Sequence, residues 1–105
     1  MPTKKRPSWW NYVKKILCEY PELIKKNPQD LEENELRKIE AVNLAIAKNI
    51  NEPNSDERIK IVTLVYFKKT HAIYGAAQII PCHENTAGHW QAEFIRWVAE
   101  GLNLP

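Results

Sequence analysis

Glycine is scarce in this chain, with only three among 105 residues. Tight hairpin turns depend on glycine or on asparagine–glycine pairs, because their central residues adopt positive φ angles. Stretches in which apolar and polar residues alternate, the pattern of a half-buried strand, are also rare. Apolar residues instead recur at intervals of three and four, which is the period of an amphipathic helix. The sequence therefore predicts an all-α fold.

About five helices are predicted, separated by proline, asparagine or polar breaks. Residues 61–67 are rich in β-branched and aromatic side chains and also suit a strand, but no second strand is visible to pair with them, so we expect a helix. The predicted helices run from a cap at Ser8 to Pro21, from about Asn27 and Pro28 to Asn51, from Ser55 to Phe67, over residues 72–80, and from His83 or Glu84 to Gly101.

Apolar stripes on the first two helices predict which side chains are buried. Trp9 and Trp10 are adjacent and cannot both lie on one stripe, so one of them is a candidate exposed anchor for a partner. The predicted stripes are Trp9, Tyr12, Val13, Ile16, Leu17 and Tyr20 in the first helix, and Leu36, Ile39, Val42, Ile46 and Ile50 in the second, with Ala41 and Ala45 beside them.

Length and composition fit one domain, because 44% of the residues are apolar and 105 residues build one core. We expect residues 1–105 to form a single helical domain with a disordered basic arm at residues 1–7. The longest mostly apolar run, residues 61–67, has seven residues and includes a threonine, whereas a membrane span needs about 20. No apolar stretch with a small-residue cleavage site follows the basic start, so we expect a cytoplasmic protein without a membrane partner.

Residues 55–104 contain two short helices joined by three or four residues, which are the proportions of a helix-turn-helix. Small side chains are needed where such helices cross, and residues 75–77, Gly-Ala-Ala, supply them. Cys82 in the turn, Ala87 in the second helix and Trp90 as its anchor complete the pattern. Any α-hairpin with a close crossing shows the same spacing, so a purely structural hairpin stays equally open.

A spread of positions in the C-terminal two thirds of the chain forms a further pattern. These positions are Tyr66-Phe67-Lys68, Thr70-His71, Gly75-Ala76-Ala77, Thr86-Ala87, Trp90, Phe94-Ile95 and Val98-Ala99, with residues 36–42 upstream. Together they resemble the RinA/ArpU-like phage late-gene transcriptional activators over roughly residues 34–104. The resemblance implies a helix-turn-helix similar to region four of sigma-70 factors. It also implies double-stranded DNA as a partner and a second surface for RNA polymerase.

By this resemblance, the helix that starts near Glu84 enters the major groove. The residues it implies at the base edges are Glu84, Asn85, Gly88, His89 and Gln91. The amides of Asn85 and Gln91 can pair bidentately with adenine, and Glu84 can accept a hydrogen bond from cytosine. His89 can donate to guanine or to a phosphate. Gly88 stands where sigma-like proteins usually carry arginine.

Charge is distributed unevenly along the chain. The net charge of +2 does not by itself indicate a nucleic-acid partner. Residues 1–26 carry +5 and residues 71–105 carry −2. Phosphate contacts supply much of the affinity for DNA. We therefore assign them to Lys60, Lys68, Lys69 and Arg96, together with the N-terminal lysines.

The main alternative is a protein-protein interaction module derived from a helix-turn-helix, such as an adaptor, an inhibitor or a packaging component that binds another phage or satellite protein.

A metal site from Cys82, His83 and His89 is disfavoured, because structural zinc needs four ligands with close pairs. Cys82 and His83 as a nucleophile pair are disfavoured because neighbours on a turn point apart. The two cysteines lie too far apart in sequence for a disulfide framework, so we expect reduced thiols. We expect no enzymatic activity, no cofactor and no metal.

Overall fold

The computed structural model describes residues 6–80 and 82–105. Within these ranges the chain forms five α-helices and no strand, so the predicted all-α class is confirmed. Residues 61–67 are helical, as expected. The helices are α1 (Trp10–Leu23), α2 (Glu33–Ile50), α3 (Ser55–Val62), α4 (Ile73–Ile79) and α5 (Glu84–Gly101), with a 3₁₀ turn at Pro28–Asp30 and a π-helical segment at Thr63–Phe67 that extends α3.

Helix α1 passes through the proline that was predicted to end it. Trp9, not Ser8, occupies the cap position. Pro21 lies in the last turn, where a missing N–H removes only one helical hydrogen bond. The ladder resumes after it, because the amide of Ile24 donates to the carbonyl of Tyr20 at 3.1 Å. The extra residues bury Leu23, which favours the longer helix.

The buried side of α1 is set by Trp10. Trp10 is 4% exposed and Tyr12 is 48% exposed, the reverse of the predicted stripe. Val13 and Leu17 follow Trp10 at intervals of three and four, so these three side chains share one face. Trp9 is half-buried, and its indole N–H donates to the Pro105 carbonyl at 2.6 Å. Neither tryptophan is therefore an exposed anchor.

Helix α2 begins after the 3₁₀ turn, later than the predicted start at Asn27 and Pro28. Its buried side is narrow and consists of Ala41, Val42, Ala45 and Asn49. Leu36 and Ile50, predicted as core, are 41% and 69% exposed. The physical reason is that α2 meets α5 through small side chains, so only a thin strip of its surface is covered.

One main core lies between α1, α2, α5 and the π-helical extension of α3. Its buried members include Val13, Leu17, Val42, Phe94 and Val98. None of the helices described in residues 6–80 and 82–105 combines the length and the apolar character needed to cross a membrane. The predicted arm at residues 1–7 falls mostly on residues 1–5, which lie outside the described residues.

Candidate nucleic-acid interface

Helices α4 and α5 pack against each other through small side chains. Ala76 and Ala77 on α4 and Ala87 on α5 are all at most 5% exposed. They form a second apolar cluster with Ile61 and Ile80. Methyl groups let the two helices approach closely, as the sequence predicts for this pair.

The turn and the first part of α5 complete this cluster. Cys82 and Trp90 are half-buried and pack against it, in the places predicted for the plug and the anchor. Gly75 is different: a β-carbon added there would meet only the His71 side chain, at 3.5 Å. The interpretation of Gly75 as part of the helix crossing is therefore wrong, because its missing side chain faces the preceding turn and not α5.

Helix α5 starts with a histidine cap. The Nδ1 atom of His83 accepts a hydrogen bond from the backbone N–H of Asn85 at 3.0 Å. A side-chain acceptor at this position satisfies one of the amides that has no partner inside the helix. The cap fixes where α5 begins and therefore where Glu84 and Asn85 point.

Four of the five residues predicted to face base edges lie on the outer side of the first two turns of α5. Glu84, Asn85 and His89 are exposed. A β-carbon added at Gly88 would meet nothing within 4 Å. Ala87, on the opposite side of the helix, is fully buried against α4. The start of α5 thus has a packed inner side and an open polar outer side.

Gln91 does not belong to this outer surface. Its amide oxygen accepts a hydrogen bond from the hydroxyl of Tyr66, and its side chain is half-buried. Burial raises the pKa of Tyr66 to about 12, so the hydroxyl keeps its proton and remains a donor at neutral pH. Gln91 therefore links α5 to the π-helical segment and is not available to a base.

His89 lies next to an ion-pair network that the sequence analysis missed. Its Nε2 atom is 3.3 Å from the carboxylate of Glu93, which also accepts from Nη1 of Arg58 at 3.0 Å. The Arg58 side chain is only 12% exposed; it donates to the Pro53 carbonyl at 3.0 Å and stacks 5.4 Å from the ring centre of Trp90. The positive charge of Arg58 is therefore committed within the protein, beside the outer surface of α5.

One part of this network has a sequence signal and the other does not. Glu93 follows His89 by four residues, a spacing that places the two side chains side by side on a helix. Arg58 precedes Glu93 by 35 positions. No local pattern connects two residues so far apart, so only the packing of α3 on α5 reveals the pair.

Two of the predicted phosphate-contacting residues share one surface. Lys60 and Lys68 both border a shallow depression between α3, its π-helical extension and the end of α4. Both side chains are exposed. They therefore lie beside the segment that leads from α4 into the turn before α5.

The other two predicted phosphate-contacting residues, Lys69 and Arg96, lie on different parts of the surface. Lys69 has a left-handed backbone, with φ of 57°, and borders a different depression along α1 together with Lys15 and Lys26. Arg96 is on α5, with its guanidinium 5.7 Å from the ring centre of Trp10, against which Arg6 also stacks at 4.6 Å. The four cations do not form one continuous basic surface.

The chemistry of this region is that of hydrogen-bond donors and acceptors. Cys82 is a free thiol packed on the apolar cluster, and His83 is engaged as the helix cap. Across residues 6–80 and 82–105, no three histidine, cysteine or acidic side chains are grouped so that they would hold a metal ion. The exposed groups suit recognition of another polar surface.

Comparisons of this chain with family models, with curated proteins and with solved structures found no match. The resemblance to the phage activators thus stays an expectation that rests on the positions quoted above. The structural features that bear on function are the outer surface of α5 and the charges around it.

Proposed function

We propose that this protein binds duplex DNA as a transcriptional regulator of the phage late-gene activator type, with the start of α5 in the major groove and α4 as its supporting helix. One observation carries the proposal. The side chains of Glu84, Asn85 and His89 are exposed on one side of α5, and Ala87 on the other side of α5 is buried against α4. An α-helix is about 10–12 Å wide and the major groove about 12 Å, so the outer turns of α5 have the right size to enter it.

Each outer group has a role under this proposal. The Asn85 amide donates to and accepts from one adenine edge, and Glu84 accepts from the amino group of cytosine. His89 donates to guanine or to a phosphate oxygen. The open space at Gly88 lets the sugar-phosphate backbone or a base approach the helix backbone closely, which a side chain there would prevent.

The charge arrangement implies modest affinity. Phosphate contacts supply most non-specific affinity, and each contact releases counterions from the DNA, which adds to the salt dependence of binding. The outer surface of α5 carries the Glu84 carboxylate, and beside it lie the Glu93 carboxylate and Arg58, whose charge is paired with Glu93. The predicted phosphate contacts must then come from Lys60 and Lys68, which border the segment leading into α5, and from the more distant Lys69 and Arg96, together with lysines of the N-terminal region. Binding that is weak at physiological salt and much tighter at low salt follows from this arrangement.

Fluorescence anisotropy on short labelled duplexes tests the proposal, with random-sequence DNA and with duplexes enriched from a random library by the full chain. We expect binding at low salt, a steep loss of affinity as salt increases, and recovery of a preferred sequence from the library. Absence of binding to either DNA at the lowest salt would contradict the proposal.

A protein-protein interaction module is the second candidate, and one observation favours it. Leu36, Leu44 and Ile50 on α2 are 41%, 62% and 69% exposed, although all three are large aliphatic side chains. They lie within about a third of the circumference of α2, given 100° per residue. They are spread over about 21 Å along the axis, at 1.5 Å per residue. A row of exposed aliphatic side chains along one side of a helix is typical of a contact site for a partner. Failure to bind DNA, combined with capture of a phage protein that Leu44→Asp abolishes, would support this candidate instead.

A further inference from the structure

The depression bordered by Lys60 and Lys68 has an apolar floor. Leu64 and Ile79 line it with Ile80, and its volume is about 360 Å³. Ile79 is 54% exposed although it is aliphatic, whereas Ile80 is 7% exposed. A partner that covers this floor would remove the exposed part of Ile79 and Leu64 from water, which is favourable.

The charged groups around this floor are all positive. Lys60 and Lys68 are the charged residues that line it, and no carboxylate does. Within the part of the chain that the structure describes, neither ammonium group takes part in an ion pair. The hydroxyl of Thr63, the remaining lining residue, already donates to the Ile59 carbonyl at 2.7 Å. The depression therefore combines an aliphatic centre with two free positive charges at its border.

Spacing defines the shape of a matching partner. Lys60 on α3, Leu64 in its extension and Lys68 directly after the extension follow one another at intervals of four, so the aliphatic side chain lies between the two lysines. Eight residues of α-helix span about 12 Å at 1.5 Å per residue, and the wider turns of the π-helical segment make the separation along this stretch somewhat shorter. Two carboxylates separated by two turns of a partner helix have nearly the same spacing, with room for aliphatic side chains between them.

We propose that this depression docks an acidic amphipathic helix of a partner protein, with carboxylates two turns apart on Lys60 and Lys68 and leucine-like side chains on Leu64 and Ile79. A DNA backbone would satisfy the two lysines but would leave the aliphatic floor uncovered. The basic N-terminal segment of the chain would be repelled by the same charges. The proposal does not depend on DNA binding: when the partner helix is bound, Lys60 and Lys68 contact its carboxylates and not a DNA phosphate.

The test uses the full chain and a helical alanine-based peptide that carries two glutamates seven residues apart with two leucines between them. Methyl-labelled NMR spectra follow Leu64, Ile79 and Ile80 during the titration. We expect saturable shifts at these methyl groups. Lys60→Glu combined with Lys68→Glu should weaken the affinity for the peptide at least tenfold. Lys15→Glu combined with Lys25→Glu, which changes the net charge equally on α1 and the segment after it, should not.

Two further measurements separate the possible occupants. A peptide with lysines in place of the glutamates should bind the Lys60→Glu, Lys68→Glu variant and not the wild type. Ile79→Ser, at a position that is 54% exposed, should weaken binding of the acidic peptide and leave DNA binding unchanged. The proposal is overturned if the acidic peptide produces no methyl shifts. It is equally overturned if loss of the two lysines reduces DNA binding while the peptide titration is unaffected.

Discussion

Gly101, the last residue of α5, lies directly against the backbone of Ala41 in the middle of α2. A β-carbon built on Gly101 would be 3.1 Å from both Cα and Cβ of Ala41, which is tighter than nine in ten real contacts of a β-carbon. Among the described residues no glycine has a positive φ angle. Gly101 therefore serves the close approach of α2 and α5 and does not end the helix through a left-handed conformation, which is the usual role of glycine at that position.

Replacing Gly101 with alanine should destabilise the protein by about 1 kcal/mol, because the added methyl group must push a fully buried Ala41 and its helix aside. Gly88→Ala is the matched control. It adds the same methyl group to the same helix where nothing lies within 4 Å, so we expect a gain of up to about 1 kcal/mol from helix propensity. Urea denaturation followed by circular dichroism measures both. Equal stabilisation by the two changes would show that the α2–α5 contact yields at no cost.

Tyr66→Phe should lower the free energy of unfolding by about 1 kcal/mol, because Gln91 loses its hydrogen-bond donor. The pKa of Tyr66 is raised from 10.0 to about 12 by burial. A raised pKa means that the folded state holds the proton more tightly than the unfolded state. The stabilisation that the protonated Tyr66 hydroxyl gives to the fold is therefore complete below pH 10 and is lost as the pH rises through about 12. Urea midpoints measured at increasing alkaline pH should therefore fall more steeply for the wild type than for the variant. Parallel pH profiles would contradict the burial of this hydroxyl.

Glu35 should contribute to stability in a pH-dependent way. Its carboxylate accepts hydrogen bonds from Lys26 Nζ at 2.8 Å and from the backbone N–H of Glu32 at 3.1 Å, and these bonds lower its pKa from 4.5. A lowered pKa means that the contribution is complete above the ordinary carboxyl pKa and disappears as the pH falls through the lowered value. Glu35→Gln should therefore lower Tm at neutral pH, and the difference from the wild type should shrink in acid.

Glu33→Gln provides the control for this experiment. Glu33 pairs with Arg37 at 3.1 Å, but both side chains are more than two thirds exposed. Exposed pairs contribute little to stability. We expect a Tm close to that of the wild type throughout the same pH series. A Glu35→Gln variant that behaves like Glu33→Gln would rule out a stabilising role for the bond to Lys26.

If α5 recognises DNA sequence, Asn85→Ala combined with His89→Ala should reduce the preference for a selected duplex more than the affinity for random DNA. Lys69→Ala should weaken both duplexes alike and should reduce the salt dependence by about one phosphate contact. Gln91→Ala should lower the unfolding midpoint without changing sequence preference, since its amide is bonded to Tyr66. Anisotropy titrations at several salt concentrations provide the comparison. Identical effects of the Asn85, His89 pair and of Lys69 would mean that the outer surface of α5 is not the base-contacting surface.

The number and type of the helices could be predicted from local rules. Intervals of three and four identify α1, α2 and α5, and the polar breaks at Asn51 and at residues 68–71 separate the helices correctly. Val13, Ile16, Leu17 and Val42 were also predicted as buried and are. These features depend on interactions within a few residues, which is why the order of residues is sufficient to anticipate them.

The features that local rules did not predict depend on contacts between distant parts of the chain. Periodicity leaves two adjacent tryptophans equally plausible in the core, and the choice of Trp10 depends on packing against helices far along the chain, with Trp9 bonded to Pro105 instead. Arg58 with Glu93, Tyr66 with Gln91, and Gly101 with Ala41 are likewise pairs separated by 25 to 60 positions. Such pairs form only when helices dock, because side-chain packing, not backbone propensity, selects which faces meet.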